Sequence, residues 1–172
     1  MRIRRVRDDV LCPIVKNSGS FQCAADACRN NGVRLVLENG GSFGRSADIA
    51  EIIDEVGSPL LEASYCPATA RLAGEMVEDG INVLGDRLAF VKLKDFHAGS
   101  PCRLGEGGMD CDRTVAALAR AGFDGWLVFE YDRLWFPKAV DPSGTLAHAA
   151  RWMFERIGLP TVSGRTLRPA AR

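Results

Sequence analysis

Glu38 and Glu130 are the residues of this chain best placed to do chemistry. Each closes a run of apolar residues, Val33-Arg34-Leu35-Val36-Leu37 before the first and Trp126-Leu127-Val128-Phe129 before the second. A carboxylate at the C-terminal end of a buried parallel strand points into a polar mouth. Two of them there can share a cation, or act as acid and base on opposite faces of one substrate. A third apolar run, Leu88 to Leu93, leads into Lys94-Asp95-Phe96-His97, which adds three titratable side chains at an equivalent strand end. His97 is one of only two histidines; the other, His148, falls in a helical stretch and reads as structural.

The elements that must position these residues alternate. Residues 21–29 read as a helix stopped by Asn30-Asn31-Gly32, with a possible N-cap at Ser18 or Ser20. Strand 33–38 follows. The loop Asn39-Gly40-Gly41-Ser42-Phe43-Gly44 leads to a helix with Ser46 as cap and Ile49, Ile52, Ile53 and Val56 as its apolar stripe. That loop reads as a flexible connection or as an anion cradle ahead of the helix, and it matches no nucleotide-binding fingerprint. Strand 60–65 ends at Cys66-Pro67. One or two short helical pieces fill residues 68–84, and Gly85-Asp86-Arg87 turns the chain into strand 88–93. A long loop runs from Lys94 through Glu106-Gly107-Gly108. Helix 112–121, strand 126–130 and helix 145–157 complete the pattern.

Strict β–α alternation with near-continuous apolar strands predicts an α/β fold with a parallel sheet covered on both faces. Four such βα units make a partial TIM-like (β/α) barrel. A full eight-unit barrel typically needs about 250 residues, and this chain has 172. The expected organisation is an N-terminal arm over residues 1–17, a half-barrel domain over 18–160 and a frayed tail over 161–172. Two unpaired sheet edges follow from it, which makes self-association through them an expectation.

Composition narrows the function. Zero formal net charge argues against a nucleic-acid partner. No apolar run approaches a membrane span, and the Arg-rich start is followed by Asp8 and Asp9 rather than a signal-like apolar segment, so we expect a cytoplasmic protein with no membrane partner. Six cysteines occur without a C-x-x-C pair and read as free thiols. Arg103 and Glu106 read as solvated loop charges or as contacts to a sugar or phosphate. The three tryptophans read as packing residues.

Four segments together resemble the C-terminal half of the xylose-isomerase-like TIM-barrel family of sugar (phosphate) isomerases and epimerases. They are residues 33–39; Gly57-Ser58-Pro59 through Tyr65-Cys66-Pro67-Ala68; Val91-Lys92-Leu93-Lys94-Asp95-Phe96-His97; and Leu104-Gly105-Glu106-Gly107 through Gly122-Phe123-Asp124-Gly125 to Glu130. The resemblance implies a small sugar or sugar phosphate as partner. It also implies metal-assisted proton transfer next to a carbonyl, with a divalent metal (Mg, Mn or Zn) held by Glu, Asp, His and Glu from four successive strand ends. Glu38 and Glu130 match the two Glu positions as metal ligands and catalytic groups, and Lys94, Asp95 and His97 would position substrate. The Asp position falls on Cys66 in Tyr65-Cys66-Pro67, and the His position falls on Lys92. Cysteine is a poor ligand for magnesium, and a protonated lysine is no ligand at all. Three arrangements remain open: a metal-free site with Lys92 bridging the glutamates, a zinc-like site with Cys66, or a weak metal site completed by His97 or Asp95. The first would make the chain a noncatalytic barrel remnant or binding module. A nucleic-acid repair endonuclease of similar fold would need a histidine-rich cluster and a basic cleft, which two histidines and zero net charge do not supply.

Overall fold

A computed structural model of the protein describes residues 13–157, with side chains from residue 18 onward. The expected tail 161–172 and most of the expected arm lie outside the described residues. Helix α1 spans Pro13–Cys28, so residues 13–17, assigned to the arm from sequence, are helical, and Ser18 and Ser20 sit inside the helix instead of capping it.

Four parallel strands form the sheet: β1 (Leu35–Glu38), β2 (Leu61–Tyr65), β3 (Leu88–Leu93) and β6 (Trp126–Phe129). Their order is β1-β2-β3-β6, the simple progression of a barrel wall. Between β1 and β2 lies α2 (Ser46–Val56), whose stripe Ile49, Ile52, Ile53 and Val56 is buried as the 3.6-residue period requires. Gly57 ends it in the left-handed conformation, its N–H bonding Ile53 O. Between β2 and β3 lie α3 (Pro67–Leu72), α4 (Val77–Leu84) and a 3-10 turn, Gly85–Arg87. Helices α5 (Cys111–Arg120) and α6 (Pro142–Ile157) flank β6.

The sheet's helix-covered face carries Leu61, Ala63, Tyr65, Val91 and Leu93, all buried, with Leu35, Leu37, Leu127 and Phe129 packed against them. Strand pleating sends the alternate residues, Val36, Glu38, Ser64, Lys92 and Val128, to the other face. One irregularity sets that parity. Ala63 pairs with Leu88 but Ser64 pairs with Phe90, so Ala89 is an extra residue on β3. This bulge lets Leu88 point into the helix layer while Phe90 and Lys92 point the other way.

Two sequence expectations need correction. Residues 95–102, expected as part of an irregular loop, contain an antiparallel hairpin, β4 (Asp95–His97) and β5 (Ser100–Cys102). Ala98 and Gly99 both have positive φ, the backbone of a two-residue hairpin turn that carries right-handed twist. Ser46, expected as a cap, is the first residue within α2; Arg45 precedes it, and Asp48 accepts from the Arg45 N–H at 3.2 Å.

Candidate functional site

Glu38, Cys66, Lys92 and Glu130 meet at the C-terminal ends of four neighbouring strands. Parallel register places them: Glu38 ends β1, Cys66 follows β2, Lys92 lies one residue from the end of β3, and the Glu130 N–H bonds Leu93 O at 2.9 Å. Lys92 Nζ lies 2.7 Å from Glu38 Oε2 and 3.7 Å from Glu130 Oε1. Lys94 Nζ lies 3.2 Å from Glu130 Oε2 and 3.4 Å from Asp132 Oδ2. The result is a row of alternating sign, Glu38, Lys92, Glu130, Lys94, Asp132, with about a third of each of the first three side chains open to solvent.

The two lysines hold their protons firmly. The hydrogen bond from Lys92 to Glu38 keeps the ammonium above the ordinary lysine value; partial burial opposes this, and Glu130 adds to it. Burial works against the charge of Lys94, but Cys66, Glu130 and Asp132 together outweigh it and raise its proton affinity too. Glu130 Oε2 is buried and makes no hydrogen bond among the described residues, although Lys94 is within ion-pair distance. Attraction between the two charges needs no alignment, so Lys94 compensates the buried oxygen.

The donor set does not fit a divalent metal. Glu38, Cys66 and Glu130 do offer one ligand atom each within 4.8 Å of one another, so a ligand triad exists on paper. The Lys92 ammonium, however, already sits against both carboxylates of that triad. A thiol suits zinc but not magnesium or manganese, and any of these ions would face a full positive charge at contact distance.

Asp95 and His97 are placed apart from this row. The Asp95 carboxylate is buried and accepts from the backbone N–H groups of Phe96, Gly105, Gly107 and Met109, each at 3.0 Å. Both oxygens are thereby committed to folding residues 103–109 against β4, which leaves Asp95 a loop-holding group rather than a substrate contact. His97 is exposed at the end of β4, and its imidazole makes no hydrogen bond or ion pair among the described residues. Neither joins Glu38 and Glu130 as a further ligand.

Two contributors escaped the sequence reading. Asp132 lies two residues beyond Glu130 and shares its parity, a signal that extending the strand would have shown. Asn39 is buried; its amide donates to Gly44 O and Cys66 O, and its Oδ1 accepts from the Cys66 N–H at 2.7 Å. It ties the ends of β1 and β2 together and so fixes Glu38 relative to Cys66.

The xylose isomerase-like TIM barrel family matches residues 18–156. The chain belongs to that family. Solved structures agree on the fold. An L-ribulose 3-epimerase superposes with a TM-score of 0.75 at 18% identity, covering 91% of this chain and 57% of that one. A D-allulose 3-epimerase from Methylomonas sp. gives 0.71 at 19% identity, covering 83% and 55%. A probable 3-DHS dehydratase from Bacillus anthracis gives 0.67 at 13% identity, covering 81% and 56%. The chain therefore spans little more than half the length of these structures. No curated protein matches it. Epimerases and a dehydratase on one xylose isomerase-like scaffold show that the fold alone does not select a reaction.

Proposed function

We propose that the strand-end row is a sugar site of isomerase/epimerase descent that operates without a divalent metal, binding a small sugar between its alternating carboxylates and ammonium groups. The observation that carries this reading is Lys92, whose ammonium lies between Glu38 and Glu130 where the family resemblance calls for a metal. Support for a sugar comes from the chemistry of the row, which presents acceptors and donors in alternation, as a run of hydroxyl groups requires. It also comes from the neighbours, among them the Methylomonas D-allulose 3-epimerase solved in complex with D-allulose.

The residue roles follow from charge and reach. Lys92 and Lys94 donate to sugar oxygens. Glu130, about a third of whose side chain is open to solvent, accepts from a hydroxyl. Glu38 holds Lys92 in place. Metal-assisted isomerisation would require a cation to displace Lys92, and the arrangement favours binding over that reaction.

Calorimetric titration of the protein with Mg2+, Mn2+ and Zn2+ tests the reading, together with D-allulose binding followed by NMR in excess chelator. We expect no stoichiometric metal uptake and sugar binding that survives chelation. Tight Mg2+ or Mn2+ uptake, with sugar binding lost on chelation, would refute it.

A further inference from the structure

Resting on the reading of the row as a sugar site, we infer that the site takes an uncharged sugar and discriminates against its phosphate ester. TIM-type barrels seat phosphate on loops, helix N-termini and basic side chains around the strand C-terminal ends. Among the described residues, several of those seats are already occupied by the chain's own groups.

The loops show this in turn. After β1, the N–H groups of Gly40 and Phe43 bond each other's carbonyls at 2.8 and 2.9 Å, so the glycine-rich loop is closed on itself. At the start of α2, the Ser46 N–H points at both oxygens of Glu75, 3.1 and 3.2 Å away. After β3, four converging N–H groups make the kind of nest that cradles anions, and Asp95 occupies it. A side chain at Gly107 would collide with that carboxylate, so the nest is shaped around its resident. After β6, the N-terminus of α6 is taken by Asp141, which accepts from the Ser143 N–H at 2.9 Å and from its hydroxyl.

Several basic side chains are paired as well. Lys92 and Lys94 are each shared between two carboxylates, Arg71 pairs with Asp110, and Arg103 pairs with Glu106. Arg133 donates to Phe136 O, and Lys138 is exposed. Within the row, three carboxylates against two ammoniums leave one net negative charge. A phosphate dianion brought beside it meets repulsion and must break an existing ion pair to gain a cation; a neutral hydroxyl meets neither cost.

The test compares binding of D-allulose and D-allulose 6-phosphate to the 172-residue protein in chelator, by NMR titration at low and at physiological ionic strength. The free sugar should bind tighter by about tenfold or more, with the gap narrowing as salt screens the row. Equal affinity, or preference for the phosphate, overturns the inference while leaving the sugar-site reading intact. Failure of both ligands to bind overturns the sugar-site reading itself. Asp132→Asn, which releases one hold on Lys94 and neutralises the row, should shift the affinity ratio toward the phosphate several-fold. Structural damage would weaken both ligands together, so an unchanged ratio counts against the inference.

Discussion

Lys92 sits where strand register leaves two carboxylates facing one another, and its removal is the most informative single change. Lys92→Met leaves Glu38 and Glu130 without the cation that bridges them, and a partly buried pair of this kind should cost about 1–2 kcal/mol, read from chemical denaturation. Both site lysines are held above the ordinary lysine value, so the folded chain binds their protons more tightly than the unfolded chain. That contribution is complete below about pH 10 and fades as pH climbs through the raised values. Thermal melts between about pH 9 and 11.5 should show a steeper alkaline loss in the wild type than in Lys92→Met. The same variant leaves Glu38, Cys66 and Glu130 as three convergent donors without a resident charge. It should gain affinity for Zn2+ or Co2+, with a thiolate charge-transfer band for Co2+, and gain none for Mg2+. Among the thiols, Cys111 is pushed up to about 12 by burial, with Asp95 adding to it. Cys66 has no exposed surface, and Cys23 is exposed. Peptide mapping after a thiol reagent at neutral pH should find Cys23 labelled quickly, and Cys66 and Cys111 only on unfolding.

Two elements carry the strand ends, and each has a position that can be tested. Residues 103–109 are folded around Asp95. Asp95→Asn keeps the shape but turns an amide N–H2 toward backbone donors, which should cost about 2–3 kcal/mol and raise hydrogen exchange at residues 103–109. Helix α4 lies so close to β2 that a methyl group at Gly80 would overlap the Tyr65 hydroxyl and crowd Glu75. That hydroxyl donates to Glu75, which also accepts from Ser46, so α2, β2 and the chain before α4 are joined at one carboxylate. Gly80→Ala should destabilise by about 2–3 kcal/mol, the range for an overpacked core, measured by urea unfolding.

At the scale of the whole molecule, the sheet has helices on one face and solvent on much of the other. Val36 and the large side chain of Trp126 are exposed there, 39% and 69%, and both lie on the end strands β1 and β6. Each end strand has one neighbour among the described residues, which leaves a row of unpaired backbone groups. The 172-residue chain should therefore associate with increasing concentration in light-scattering measurements. Trp126→Lys, a charge on an end strand, should move the distribution toward the monomer.

Local pattern was enough to reveal the strands, the helices between them and the two glutamates, because apolar runs and turn residues act within a few positions of the chain. The family likeness was legible for the same reason: its motifs lie at strand ends that the pattern already marks. What the chain could not disclose alone was which charges meet. Lys92 faces Glu38 and Glu130 because parallel register aligns four strands and the bulge at Ala89 sets the parity of β3 against β2, a relation between segments 25 or more residues apart. Asp95 looked like a substrate group at a strand end, and only the return of residues 103–109 supplied three of the four N–H groups that turn it inward. The hairpin after β3 was hidden because Ala98 takes a left-handed backbone that its residue type disfavours and Pro101 interrupts the strand pattern. Element type is a short-range property of the sequence; the pairing of charges at the mouth is a long-range one, decided when the strands come side by side.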